Sequence, residues 1–525
     1  MIARGLIMVL LLGGVSLPAD AQSLEREKRS NGWLSSGNAA GLRAFREGKI
    51  SEAELFFNRE GGGMVNHHEA TSQFSWGART GSFFRLDRAV LHGEIIYKNY
   101  KGKNTGGTTF IDPGYAPFNI VEQADTNRGT RSAEEYTLVG AVGVPLYRAL
   151  NAGGKIIYTT ANRAKHKDPR YKNTLLDMTV SAGLSYRFGN RVEVGINYDY
   201  RRTIEETRYK VYGNTDRQFL FLVDFGLFTG RVELFGETGY SSSDGPLFNA
   251  FHGGSLQVEL PLRRWSLFQE LTGRRRHGYF GEKSTSSICY SDHEGSMIAY
   301  RGLLSARGEV TRLVEWSFSR ETIENSENIY RHETTPGGLS RVVYHGKVKV
   351  LSGNATRASL SCTSRRGLVA GQPAWEWSAG GDYAARSRTV SLYPFFRQQH
   401  LHAYRARLSA GHHRRAGQRD AVGFSLEIAY GRGSGEAKQD GLYAKPSDDQ
   451  AAPRNVDHLL YREHEYLTIP RVEGSASITY HAPLFPGNVQ GYARARAFYR
   501  RALEEVQYLG GASARAITVG VGCLF

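Results

Sequence analysis

The chain is 525 residues long and carries 67 Lys and Arg against 51 Asp and Glu, a formal net charge of +16. Its mean hydropathy is −0.43, and beyond residue 21 no run approaches the ~18 consecutive apolar residues of a membrane-crossing helix, which excludes helical spans. The odd cysteine set, Cys289, Cys362 and Cys523, argues against a disulfide scaffold.

Met1 to Ala21 has the three parts of a secretory signal peptide. Arg4 gives the positive start, Leu6 to Leu12 the apolar run, and Ala19-Asp20-Ala21 a small-x-small cleavage site that leaves Gln22 as the new amino terminus. Export makes nucleic acid a poor partner. The remainder shows no linker, low-complexity run or composition shift, so one large unit fits it better than the roughly three or four soluble domains suggested by length alone.

Residues 22–71 stand apart as a periplasmic or lumen segment. Within them Asn38 to Phe45 reads as a short amphipathic helix and Ala53-Glu54-Leu55-Phe56-Phe57 as a strand. From Ser72 to Phe525 period two dominates, and this stretch is assigned to the barrel. The clearest unit is a hairpin. Met178, Val180, Ala182, Leu184, Tyr186 and Phe188 alternate with polar residues up to Arg187, Gly189-Asn190 turns the chain, and Val192, Val194, Ile196, Tyr198 and Tyr200 alternate with Arg191, Glu193, Asp199 and Arg201. Phe219 to Leu227 and Val232 to Tyr240, around Thr229-Gly230, repeat the pattern with Glu233 and Glu237 on one face. Phe424 to Tyr430, Ala476 to Tyr480 and Tyr492 to Arg500 follow, the last with Arg494 and Arg496 together. At the end, Ile517, Val519, Val521, Cys523 and Phe525 share an apolar face opposite Thr518, Gly520 and Gly522. A terminal phenylalanine on such a strand is how outer-membrane barrels finish.

These features predict an all-β protein: a transmembrane antiparallel β-barrel in the bacterial outer membrane. Its turns near Gly189, Gly230, Arg263 and Gly487 are short and periplasmic. Its connections at 101–134, 165–174, 241–253, 278–294, 324–337 and 432–465 are long and extracellular. Counting from Ser72 gives 22 strands, and any even number from 16 to 22 suits the pattern. Charges belong on the inner face, because an Arg or Lys at mid-bilayer on the lipid face costs ~2–4 kcal/mol. The predicted lumen set is therefore Arg187, Glu193, Asp199, Arg201, Glu233, Glu237, Arg494 and Arg496, and the predicted assembly signal is Ile517, Val519, Val521 and Phe525. The net charge reads first as arginine spread over lumen and loops, and second as attraction for lipopolysaccharide phosphates, acidic glycans or anionic solutes.

Candidate chemistry is sparse. Cys289-Tyr290-Ser291-Asp292-His293-Glu294 is the densest ligand-like cluster, but its spacing matches no familiar metal site. His67-His68 and His412-His413 put neighbouring rings on opposite faces when in strands. No Gly-x-Ser-x-Gly is present, so no catalytic residue, cofactor or metal is predicted.

With the aromatic strands and Phe525, segments such as His92-Gly93-Glu94-Ile95-Ile96-Tyr97 and Ala161-Asn162-Arg163-Ala164-Lys165-His166-Lys167-Asp168-Pro169-Arg170 resemble Bacteroidota outer-membrane β-barrel proteins, in a group that often accompanies TonB-dependent receptors. The resemblance implies location and fold, and carries no catalytic motif. The expected function is non-enzymatic: a solute conduit or accessory to a nutrient uptake system, or a surface-binding barrel acting through the 101–134 and 432–465 loops, with an outer-membrane hydrolase a third alternative. The expected partners are outer-membrane lipid and lipopolysaccharide, the barrel-assembly machinery, and a TonB-dependent receptor as a candidate.

Overall fold

The computed structural model describes residues 23–525 except 124, 190, 191, 214–216, 238, 242–244, 285, 307, 335–337, 339, 370, 418, 419 and 485–488. The expected signal peptide and the turn residues Asn190, Arg191 and Pro486-Gly487-Asn488 lie outside the described residues. In chain order the strands begin with β1 (Lys49–Gly62), β2 (Ser72–Arg85), β3 (Val90–Thr105), β4 (Asn119–Glu122), β5 (Gly129–Tyr147), β6 (Leu150–Lys165), β7 (Arg170–Phe188) and β8 (Val192–Lys210). Then come β9 (Leu220–Gly226), β10 (Thr229–Leu234), β11 (Leu247–Leu262), β12 (Trp265–Gly281), β13 (Cys289–Ala306), β14 (Val310–Thr334), β15 (Ser340–Val369) and β16 (Gln372–Leu392). The last are β17 (Phe395–Arg415), β18 (Ala421–Ser434), β19 (Gln439–Leu442), β20 (Arg454–Asn455), β21 (Arg471–Pro483), β22 (Gln490–Ala502) and β23 (Ser513–Leu524).

Among the described residues, 18 antiparallel strands form a closed ring, sealed where β1 pairs with β23. The four-residue β19 adds only to the outer end of β17. Closure leaves no backbone edge exposed, as a hydrocarbon surrounding demands. At ~4.8 Å per strand and a tilt near 40°, the ring is roughly 35 Å across its backbone. Among the described residues no helix is long and apolar enough to cross a membrane.

Alternation sorts the side chains. Leu184, Ile196, Leu256, Leu271, Tyr300 and Phe318 are successive register partners across six strands, and all of them point outward. Leu426 (57 % exposed) and Ile478 (46 %) continue this outer surface on β18 and β21. The opposite parity holds buried polar groups: Asn197, Asp199, Gln257, Glu270, Arg494 and Arg500.

Three sequence expectations are corrected here. The wall has 18 strands, inside the expected even range of 16 to 22 but fewer than the 22 counted; β14 and β15, with 25 and 30 residues, are single long strands. The wall starts at Lys49 rather than Ser72, since β1 pairs with β2 on one side and β23 on the other. The hairpin around Gly230 is not in the wall. Its strands β9 and β10 pair with β4 and β20 in a separate 4-stranded sheet, and β9 is buried on both faces from Phe221 onward. The apolar face of Phe219 to Leu227 was suited to lipid, and equally to an internal core.

Candidate functional site

The distinctive part of the molecule is its lumen, closed at two levels by pieces of the same chain. At the short-turn end the plug is the segment before β1. It contains short helices over Ser23–Ser30 and Gly32–Ser35 and a 3-10 turn over Ala39–Ala44. Asn31 and Asn38 cap the last two, accepting from the backbone N–H of Trp33 and Ala40. Trp33 is the anchor. Its ring meets Phe268 edge-on at 5.3 Å and its Nε1–H donates to Glu259 Oε2 at 2.6 Å. The Asn38 amide donates to Leu184 O (2.9 Å), Ile196 O (3.2 Å) and Gln257 Oε1 (3.0 Å). Lys28 pairs with Glu94 at 2.9 Å, Arg301 donates to Ser35 Oγ at 2.9 Å, and Arg26 reaches Gln372 at 3.2 Å. These partners lie on β3, β7, β8, β11, β12, β13 and β16, on opposite sides of the ring, so the segment spans the bore. The wall is glycine where the plug backbone presses on it: a Cβ at Gly153 would stand 2.2 Å from the Ala39 carbonyl carbon.

At the long-loop end, the connections 106–128, 211–246 and 435–470 fold inward. They supply the sheet β4–β9–β10–β20 and the helix Asp457–Thr468. Phe110, Phe118, Phe221, Phe225, Phe235, Tyr240 and Leu460 form an apolar core with wall residues Phe280, Tyr290, Leu351 and Val390. Buried ion pairs pin this cap. Lys165 Nζ lies 2.6 Å from Glu122 Oε2, Arg131 donates to the Gly106 and Thr108 carbonyls at 2.9 Å, and Arg397 binds Asp440 (2.6 Å) and Asp457 (2.9 Å). Burial alone pushes the Glu463 carboxyl up, but Arg386, His67 and Arg388 outweigh it and hold it down at about 2. Burial pushes the His67 imidazole down to about 4, opposed by Glu463 and reinforced by Arg462, Arg128 and Arg131.

The sequence-selected lumen residues fall into two groups. Arg187, Glu193, Asp199, Arg201, Arg494 and Arg496 stand on the inner face of β7, β8 and β22. Arg187 pairs with Glu193 at 2.5 Å, Asp199 with Arg274 at 2.7 Å, Arg201 with Asp177 at 2.7 Å and Arg494 with Glu54 at 2.6 Å. Arg496 donates to Ser475 Oγ at 2.8 Å. Glu233 and Glu237 are not wall residues: Glu233 lies in β10, where it accepts from Arg231 and the Tyr240 backbone N–H, and Glu237 is exposed in the following turn. Ile517, Val519, Val521 and Phe525 face outward, and the Phe525 backbone exchanges hydrogen bonds of 2.8 and 3.0 Å with Ser51. Sequence reasoning missed Arg274, Asp177 and Glu54. Asp177 and Glu54 were visible in alternating runs, but only register across the barrel identifies their partners.

Cys289 to Glu294 is not a loop; it lies in β13. Cys289, Ser291 and His293 are buried while Glu294 points outward, and His293 Nε2 bonds Asn249 Oδ1 at 2.7 Å. Among the described residues no group of three or more His, Cys, Asp or Glu is placed to hold a metal. All three cysteines are free.

Residues 39–525 match the family described as a family of unknown function (DUF6850), and no curated protein matches the chain. Solved structures similar to it include the ferric preacinetobactin receptor BauA from Acinetobacter baumannii (8 % identity, TM-score 0.40, covering 91 % of this chain and 80 % of that one). The ferric-catecholate import receptor Fiu from E. coli K12 in its open form is similar too (7 %, 0.39, 92 % and 82 %). So is the CymD monoaromatic hydrocarbon channel (9 %, 0.33, 98 % and 96 %). At such identities and scores, nothing about activity passes from them to this chain.

Proposed function

We propose that this chain, which belongs to the DUF6850 family of unknown function, is a non-enzymatic outer-membrane barrel that passes a hydrophilic solute through a lumen gated by its own segments. The observation that carries this reading is the charged wall between two self-made caps. A sealed scaffold is most cheaply filled with apolar side chains, whereas this wall holds Arg405 with Glu427 and Glu473, Arg407 with Asp382 and Arg274 with Asp199. A ring of 18 strands is in the range that leaves an aqueous channel when uncapped, and wall charges then set selectivity. In this reading the short turns are periplasmic, and Ile517, Val519, Val521 and Phe525 form the signal for assembly. A TonB-dependent receptor is a candidate partner in uptake.

Planar-bilayer recording tests the proposal with four proteins: the intact chain, one lacking residues 23–45, one with residues 107–127, 212–244 and 436–469 replaced by short linkers, and one with both changes. The intact protein is expected to stay mostly closed and the doubly uncapped one to conduct steadily. A correctly folded, doubly uncapped barrel that carries no current would refute the conduit. A second reading, surface binding, draws on the nearly continuous exposure of residues 442–452. Deleting them should abolish ligand or cell binding without affecting assembly.

A further inference from the structure

Part of the lumen wall is hollowed out. On β15, Gly353 and Ala355 put almost no side chain into the bore. Ala355 lies in register between Glu321 of β14 and Arg386 of β16, and Gly353 between Ile323 and Arg388. The result is a small, partly open chamber with an enclosed volume of about 40 Å³. Tyr115 and its neighbours in the 106–128 loop roof it, and Arg276 of β12 closes one side.

The charges around this chamber do not balance. Arg276 is committed to Asn249 Oδ1 (2.9 Å) and the Tyr115 carbonyl (3.0 Å), with its guanidinium 4.4 Å from the Tyr115 ring centre. Arg386 binds Glu463 at 3.0 and 3.3 Å and Gln399 at 2.6 Å, leaving its Nε buried without a partner. The Arg388 side chain makes no hydrogen bond or ion pair among the described residues, and its charged neighbours are Arg386, Glu463, Asp224 and Glu321. Arg357, next on the inner face of β15, has a buried Nη2 with no partner. Glu321 is the one carboxylate lining the chamber. Arg357 withdraws one nitrogen from water without an acceptor, which is costly, Arg388 is half-buried with its guanidinium unpaired, and the planar fork of a guanidinium matches the oxygens of a carboxylate or phosphate.

We infer that this chamber binds a small oxyanion, either inorganic phosphate or the carboxylate of a small organic acid, at Arg388 and Arg386, with Arg357, next along the inner face of β15, adding its charge from beside the chamber. The inference rests on the conduit reading for its meaning, since it names the class of solute carried; the binding itself stands separately. A cation is repelled by the arginine surplus. A neutral apolar solute leaves Arg388 and Arg357 as unpaired as before.

The test is calorimetric titration of the full chain, folded in detergent, with sodium phosphate and with sodium succinate, against sodium chloride at equal ionic strength. The expected result is saturable binding of one anion per barrel, with the preferred oxyanion distinguishing phosphate from carboxylate. Arg388→Gln and Arg357→Gln should each weaken it by about tenfold or more. Ala355→Leu, which fills the chamber and removes no charge, should weaken it as well, and heat-dependent gel mobility verifies that each variant is folded. Absence of saturable binding by both anions, or wild-type affinity in Arg388→Gln and Ala355→Leu, overturns the inference. Current through the doubly uncapped barrel without anion binding removes the site and leaves the conduit. Binding without current removes the conduit and leaves the site.

Discussion

Replacing Trp33 with Ala tests whether the N-terminal segment is a detachable cap. The ring is 1 % exposed, packs edge-on against Phe268 and donates to Glu259. Truncating a buried Trp costs about 3–5 kcal/mol. The loss also leaves the Glu259 side chain with only the Ser266 hydroxyl, at 2.5 Å. The ring also lies against Gly195 of β8, where an added Cβ would stand 2.9 Å from it, but it forms no hydrogen bond to wall backbone among the described residues, so the cost falls on the docking of residues 23–45. At about 1.4 kcal/mol per factor of ten, the detached population rises by roughly a hundredfold to several thousandfold. Limited trypsin digestion of the folded barrel reads that population through cleavage after Arg26, Lys28, Arg29 and Arg43, provided that opening is fast compared with cutting. Gel mobility with and without heating reports the wall in parallel. The expected outcome is cleavage faster by two orders of magnitude with the wall intact. An unchanged cleavage rate would show that Trp33 does not hold the plug. Collapse of the barrel itself would show that the segment is part of the core rather than a cap.

On the outer surface, Leu426→Arg should destabilise the barrel by ~2–4 kcal/mol if that position faces mid-bilayer hydrocarbon, measured by urea unfolding from lipid vesicles; a neutral effect would place it outside the hydrocarbon. Deleting Phe525 removes both backbone bonds to Ser51 and the contact of its ring with the Lys49 ammonium 4.6 Å away, so folding into vesicles should slow while the finished barrel stays closed along the rest of β23. The long-loop cap should loosen in acid. His67 is held near 4 against an ordinary 6.5, so its contribution is complete above pH 6.5 and lost as pH falls toward 4. Glu463 is held near 2 against 4.5, so its contribution is complete above pH 4.5 and lost toward pH 2. Hydrogen exchange in the helix Asp457–Thr468 should therefore quicken on acidification, and an exchange rate independent of pH after correction for intrinsic chemistry would contradict both assignments.

The wall was legible because period two with one oily face has few other meanings when charges keep to the second face. The run from Met178 to Phe188 and its partner from Val192 to Tyr200 state the register and the lipid side at once. The long-loop cap was not legible, and the N-terminal one only as a segment set apart that could be lumenal or periplasmic, for two physical reasons. Phe219 to Leu227 alternates as a wall strand does, and only its burial on both faces by loop and wall distinguishes it. Trp33 and Asn38 sit in a segment whose pattern shows no more than the short helix from Asn38 to Phe45, and their importance comes from wall groups more than 140 positions away. The same holds for the oxyanion chamber. Gly353 and Ala355 look unremarkable in sequence, and their role is to be small beside Arg386 and Arg388.

The seam joins residues at the two extremes of the folded chain. Until Ser513–Leu524 is delivered, β1 and β22 each present a full row of unpaired amides and carbonyls, which hydrocarbon tolerates badly. Insertion is thus an all-or-nothing event governed by the final dozen residues, and contacts so remote in sequence form slowly. The plug directly precedes β1 at the short-turn end, so its tether leaves it beside the opening it fills.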